Sequence, residues 1–150
     1  MKFGVNTFVW ASPFSTAEHL SLIDKVDAMG FDVIEIAVED PAIIDIDALD
    51  GRLREVESSA LVCGAFGPGR NLASEDADER RNAVGYIREL IDMAAALGSP
   101  VVSGPMYGAV GKTPAPDLDI RQRERDRSAA ELRPWPPMPV IMVSVWRWKR

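Results

Sequence analysis

One cysteine and one histidine stand among 150 residues. A lone cysteine excludes an intramolecular disulfide, and with a lone histidine it excludes the Cys/His spacings of a structural zinc site. A reducing, cytoplasmic setting is the expectation. No apolar run reaches the ~18–20 residues that span a bilayer, so a membrane is not an expected partner. The N-terminus meets polar Asn6 and Thr7 too soon for a signal-peptide core. Basic residues are in the minority, 17 Lys and Arg against 23 Asp and Glu, for a net charge of -6. Phosphate backbones need a basic surface, so nucleic acid is not an expected partner either.

What is present is the balance of a folded domain, with 47% hydrophobic and 27% charged residues; this excludes wholesale disorder. The composition breaks near residue 134. Residues 134–150 hold three of the four Trp and four of the eleven Pro, contain no acid and carry a charge of +3. Such an end has the make-up of a membrane-surface or nucleic-acid patch. The plainer reading is a segment foreign to the fold, such as the product of a shifted reading frame. Its prolines block a helix through 134–139, and residues 140–148 suit only a short strand. The expected division is a domain at 1–133 and a Pro/Trp-rich basic tail at 134–150 outside the fold.

Along 1–133, strand and helix patterns alternate. Residues 2–10 read as a strand, with Phe3, Val5, Thr7 and Val9 on one face and Gly4, Asn6, Phe8 and Trp10 on the other. Both faces are mostly apolar, as in a strand covered on both sides. Ser15, with Glu18 three residues on, predicts a capping box for a helix carrying Leu20, Ile23, Val26 and Met29 and ended by Gly30. Further strands are predicted at 32–37, 60–66 and 101–103. Further helices are predicted at 47–58, from Ser74 onward with Val84, Ile87, Ile91 and Ala94 as its stripe, and at 121–133. The βαβαβαβα order predicts a parallel sheet with helices packed on it. An open doubly wound sheet and part of a (β/α)8 barrel both fit. A complete barrel takes ~250 residues, so on the barrel reading four βα units form its first half.

In parallel α/β folds ligands bind at the C-terminal ends of the strands. That rule selects Asn6, Phe8 and Trp10, then Glu35, then Cys63, Gly64 and Phe66, then Met106 and Tyr107. An amide beside two aromatics is a common way to hold a polyol, and an equally common way to fill a core. Glu35 lies among Val33, Ile34, Ile36 and Ala37, where a carboxylate is costly unless paired. It therefore either serves a site or is a satisfied structural acid. Cys63 reads first as a small buried hydrophobe, and His19 as a surface residue. Two motifs fail. The run from Gly108 to Thr113 lacks the glycine of a phosphate loop, since Met106 stands there, and Pro114 blocks the helix that loop requires. The stretch from Gly67 to Leu72 lacks the third glycine of a dinucleotide fingerprint.

Taken together, four stretches resemble the ketose 3-epimerases of the D-tagatose, D-allulose and L-ribulose type, within the xylose-isomerase-like barrels. They are residues 1–10, residues 30–36 (Gly-Phe-Asp-Val-Ile-Glu-Ile), residues 67–76, and Gly104-Pro105-Met106-Tyr107. The likeness runs over about residues 1–115 and returns weakly at 123–134. It implies C3 epimerisation of a ketose through an enediolate. A divalent ion (Mn2+, Mg2+ or Co2+) holds two sugar oxygens, and two Glu residues move the proton. In that family both Glu residues and the metal ligands come from the last four strands, which this chain does not carry over. The resemblance therefore implies an incomplete (β/α)8 barrel with no catalytic residue, no metal ligand and no metal cofactor in this chain. What it retains is a substrate-side wall of Asn6, Trp10, Phe14, Glu35, Cys63, Gly64, Met106 and Tyr107. The expected function is a truncated sugar isomerase or epimerase, inactive alone, whose partner is a small sugar. The alternative is a non-catalytic half-barrel module that binds a partner. Two open sheet edges make a homo-oligomer or aggregate the expected state.

Overall fold

Strands β1 (Gly4–Asn6), β2 (Val33–Val38), β3 (Ser59–Gly64), β4 (Val102–Gly104) and β5 (Ile141–Val143) form one sheet in the order β1-β2-β3-β4-β5. Every neighbouring pair is parallel, as the alternation predicts. A doubly wound sheet reverses direction at a switch point; this one runs straight through, which leaves the barrel reading. The computed structural model describes residues 1–108, 111 and 116–133, and the backbone of 141–143. Parts of the rejected phosphate-loop motif (109–110 and 112–113) and of the tail (134–140 and 144–150) lie outside the described residues.

Between the strands run α1 (Thr16–His19), α2 (Leu22–Ala28), α3 (Ile46–Glu55), α4 (Ala77–Ala96) and α5 (Leu118–Leu132). The alternation of side chains along a strand divides the sheet into two faces. Ile34, Ile36 and Val38 of β2 join Ala60 and Val62 of β3 and Val102 of β4 on the outer face. There they pack against Ile23 and Val26 of α2, Leu49 and Leu53 of α3, and Ala83, Ile87, Leu90 and Ala94 of α4. The inner face carries Asn6, Glu35, Leu61, Cys63 and Ser103. All but Cys63 are half-buried.

The first strand is shorter than residues 2–10. The Asn6 side-chain oxygen accepts the Phe8 N–H at 2.8 Å, and residues Thr7–Val9 turn into a 3-10 helix. The buried Thr7 hydroxyl then accepts the Ala37 N–H at 2.9 Å, a bond the strand backbone would otherwise make. The alternation read for Phe8 and Trp10 ends with the strand, and Phe8 and Val9 are exposed. Ser15 occupies the predicted N-cap, but its backbone N–H is taken by His19 Nδ1 at 3.1 Å, a contact the capping-box reading gave to Glu18. The long helix is capped by Asp76, two residues beyond Ser74, whose hydroxyl accepts the Asp76 N–H at 3.1 Å.

Candidate functional site

The C-terminal ends of the first four strands converge on Glu35. The register sets Asn6 of β1 beside Glu35 of β2, and Cys63 of β3 beside Ser103 of β4. Glu35 Oε2 accepts from Asn6 Nδ2 at 2.7 Å, and Glu35 Oε1 accepts from Ser103 Oγ at 2.5 Å. Neighbouring strands lie about 4.8 Å apart, so Glu35 reaches across β3 to a residue two strands away. A concave inner face makes that reach possible. The carboxylate that is costly inside an apolar strand is thereby paired on both oxygens.

Cys63 lies between these groups, 6% exposed. Burial first, and the Glu35 charge second, push its thiol up from the ordinary value; hydrogen bonds from the Asn6 and Ser103 side chains oppose both. A raised thiol stays protonated near neutrality, so Cys63 offers a polar contact and a weak nucleophile.

The other predicted residues fall into smaller groups. Trp10 is half-buried under Lys25, whose Nζ lies 4.7 Å from the ring centroid. Phe14 is fully enclosed and lies against the His19 ring at 5.8 Å. Gly64 and Met106 meet each other: a Cβ at Gly64 would collide with the Met106 sulfur and with Leu90. Met106 is itself fully enclosed, whereas Tyr107 is 55% exposed. Next to Gly64, Gly104 has φ +126, and a Cβ there would fall on the Gly64 carbonyl oxygen. That close approach draws the ends of β3 and β4 together. Asn6, Glu35 and Cys63 thus form one cluster, Gly64 and Met106 back it, and Trp10, Phe14 and Tyr107 stand apart from it.

Sequence reasoning missed Ser103 and a second group on the same rim. Tyr86 of α4 donates its hydroxyl proton to the Val38 carbonyl and accepts the Ala65 N–H at 3.0 Å. The Arg70 guanidinium lies 4.0 Å from the Tyr86 ring centroid and donates to the Glu39 carbonyl at 2.8 Å. These contacts tie the loops after β2 and β3 to α4. Ser103 gives no signal in a three-residue strand. Tyr86 sits one residue from the predicted stripe member Ile87, and its position on the helix face was the available clue.

The implied divalent ion does not fit the residues at hand. Among the described residues no three His, Cys, Asp or Glu side chains are grouped as ion ligands. Both oxygens of Glu35 are already engaged by protein donors.

The family described as "Xylose isomerase-like TIM barrel" matches residues 23–134. A probable ketose 3-epimerase of Synechocystis sp. is 30% identical over 132 residues, covering 88% of this chain and 46% of that protein. An L-ribulose 3-epimerase of Methylomonas sp. is 28% identical over 116 residues, covering 77% and 41%. Among solved structures, the D-allulose 3-epimerase of Methylomonas sp. in complex with D-allulose superposes with a TM-score of 0.76 at 25% identity. It matches 95% of this chain and 50% of its own. The chain spans about half the length of the relatives it matches.

Proposed function

The chain belongs to the xylose isomerase-like TIM barrels, and from that premise we propose that it forms the sugar-facing wall of a ketose 3-epimerase type of site. The observation that carries the reading is the Asn6–Glu35–Ser103 network. It sets an amide, a hydroxyl and a thiol side by side at the strand ends, where barrels of this kind bind their ligands. Small polar groups on a concave face suit the hydroxyls of a ketose. Trp10 and Tyr107 are assigned to the rim of this wall, and Phe14, Gly64 and Met106 to its backing.

On this reading, the proton transfers at C3 and the divalent ion belong to groups other than those described. Glu35 is the only acid on the inner face of the described strands, and both its oxygens are engaged. A single occupied carboxylate cannot both take a proton from one face of a carbon and return one to the other. β1 is paired on one side among the described residues, and Phe3 beside it is 58% exposed. Self-association through that edge is part of the proposal.

The test is a turnover assay of the 150-residue chain with D-fructose or D-allulose and Mn2+. The expected result is no interconversion above a blank. Metal-dependent interconversion that disappears in Glu35→Gln would overturn the assignment of chemistry to other groups.

A further inference from the structure

We infer that the two sheet edges take a second copy of this chain, joined in parallel so that two half-barrels close into one ring with a shared mouth. Self-association through β1 rests on the reading above. The manner of closure stands on strand order, edge chemistry and the polarity of the inner face.

Among the described residues β1 pairs with β2 alone and β5 with β4 alone, so the sheet has an open edge at each end. Sheet edges are commonly guarded by charge, by proline or by a covering element. Residues 3–10 and 140–146 contain no charged residue and no proline. Phe3 and Val9, on either side of β1, are exposed. The two edges are unlike, and a two-fold rotation about the barrel axis sets β1 of each copy alongside β5 of the other. All strands then run the same way, as every pair within one copy already does, and no edge remains.

The inner face favours this closure over an antiparallel one. At the C-terminal strand ends it carries Asn6, Glu35 and Ser103, joined by hydrogen bonds. Toward the other end it carries Val33 and Leu61, which alternate with outward-facing residues along β2 and β3. Parallel closure brings both Glu35 clusters to one mouth open to solvent. Antiparallel closure, β1 against β1, would lay the Glu35 end of one copy toward Val33 and Leu61 of the other, where a charge is costly. Phe8 and Tyr107 are exposed at the same ends. Each copy therefore adds polar and aromatic groups opposite its partner's, and a ketose would meet two walls in place of one.

Sedimentation of the unsubstituted chain decides first. The expected species is a dimer of 16.5 kDa chains whose mass does not grow with concentration, because closure leaves no edge. A compact monomer, or a species that grows with concentration, would overturn the proposal. Cross-linking then reads the geometry in a Cys63→Ala background, with a bismaleimide that reaches about two strand spacings, ~10 Å. Phe3→Cys alone is expected to give no linked dimer, since the two β1 strands lie five strands apart around the ring, about 24 Å. Phe3→Cys combined with Ile141→Cys or Val143→Cys is expected to give linked dimers. Linked dimers from Phe3→Cys alone, or none from either pair, would overturn parallel closure. A dimer of that other geometry leaves self-association standing, and a monomer removes both while the sugar-wall reading keeps its own test.

Discussion

The Tyr86 hydroxyl on α4 satisfies two backbone groups at once, the Val38 carbonyl and the Ala65 N–H. Replacing it by phenylalanine keeps the ring under Arg70 but takes this partner from the buried Val38 carbonyl and the half-buried Ala65 N–H. Tyr86→Phe is expected to lower the unfolding free energy by about 1–3 kcal/mol, measured by urea denaturation at pH 7. Burial, the largest cause, pushes the Tyr86 hydroxyl from its ordinary value of 10.0 up to about 12. A raised value means that the folded state favours the protonated form. Tyr86 thus contributes fully below pH 10 and loses its contribution as pH rises toward 12. The gap between parent and Tyr86→Phe should narrow over that window; a constant gap would contradict the account. At this level the sequence was readable where chemistry clashed with its surroundings. Glu35 stood out as a charge within an apolar strand. Ser103, an ordinary serine, became legible only when the register placed it opposite Cys63 and within reach of Glu35.

Helix α5 shows how an element can dock with little apolar surface. Among its residues only Ser128 is buried, donating to the Tyr107 carbonyl at 3.1 Å. Leu132 at its end packs half-buried against the core, and the other attachments are polar. Arg80 pairs with Glu131 at 2.9 Å, and Arg127 reaches the Ala73 carbonyl at 3.1 Å and Glu75 at 2.7 Å. Partly exposed pairs of this kind contribute about 0–1 kcal/mol each and are screened by salt. Amides of α5 are therefore expected to exchange with deuterium faster than those of α4. The difference should widen as salt rises toward about 1 M, where the Debye length falls to about 3 Å. Equal protection of the two helices at all salt concentrations would refute this description. Element existence was largely legible: every strand and helix expected within 1–133 has a counterpart, but the one helix expected between Ser15 and Gly30 is two, α1 and α2. Boundaries were less so, because side chains set them. Asn6 and Thr7 end β1 by taking over backbone bonds, and hydropathy does not report such substitutions. The stripe on α4 is centred on Tyr86, Ile87, Leu90 and Met93 as well as Ala94, with Val84 and Ile91 at its margin. The predicted stripe shares Ile87 and Ala94 with it and takes Val84 and Ile91 from its margin.

Over the whole molecule, the order of strands is the decisive fact. Five parallel strands in sequential order, with helices on the outer face, leave a concave inner face that is polar at one end. The alternation of elements was enough to predict a parallel sheet, and the order in space separated a barrel from a doubly wound sheet. β5 lies in the segment read as a tail and pairs with β4 through Ile141, Met142 and Val143, as a short strand there would. The claim that unites these observations is that the inner face, at the C-terminal strand ends, meets a ketose. It is tested most directly by following backbone amide resonances of the 15N-labelled chain as D-allulose is added. The account predicts concentration-dependent shifts confined to the strand ends around Asn6, Ala37, Cys63 and Gly104, with the amides of Ser59 and Ala60 at the opposite end unmoved. Saturating sugar that leaves the strand-end amides unmoved, or shifts concentrated around Ser59 and Ala60, would contradict it.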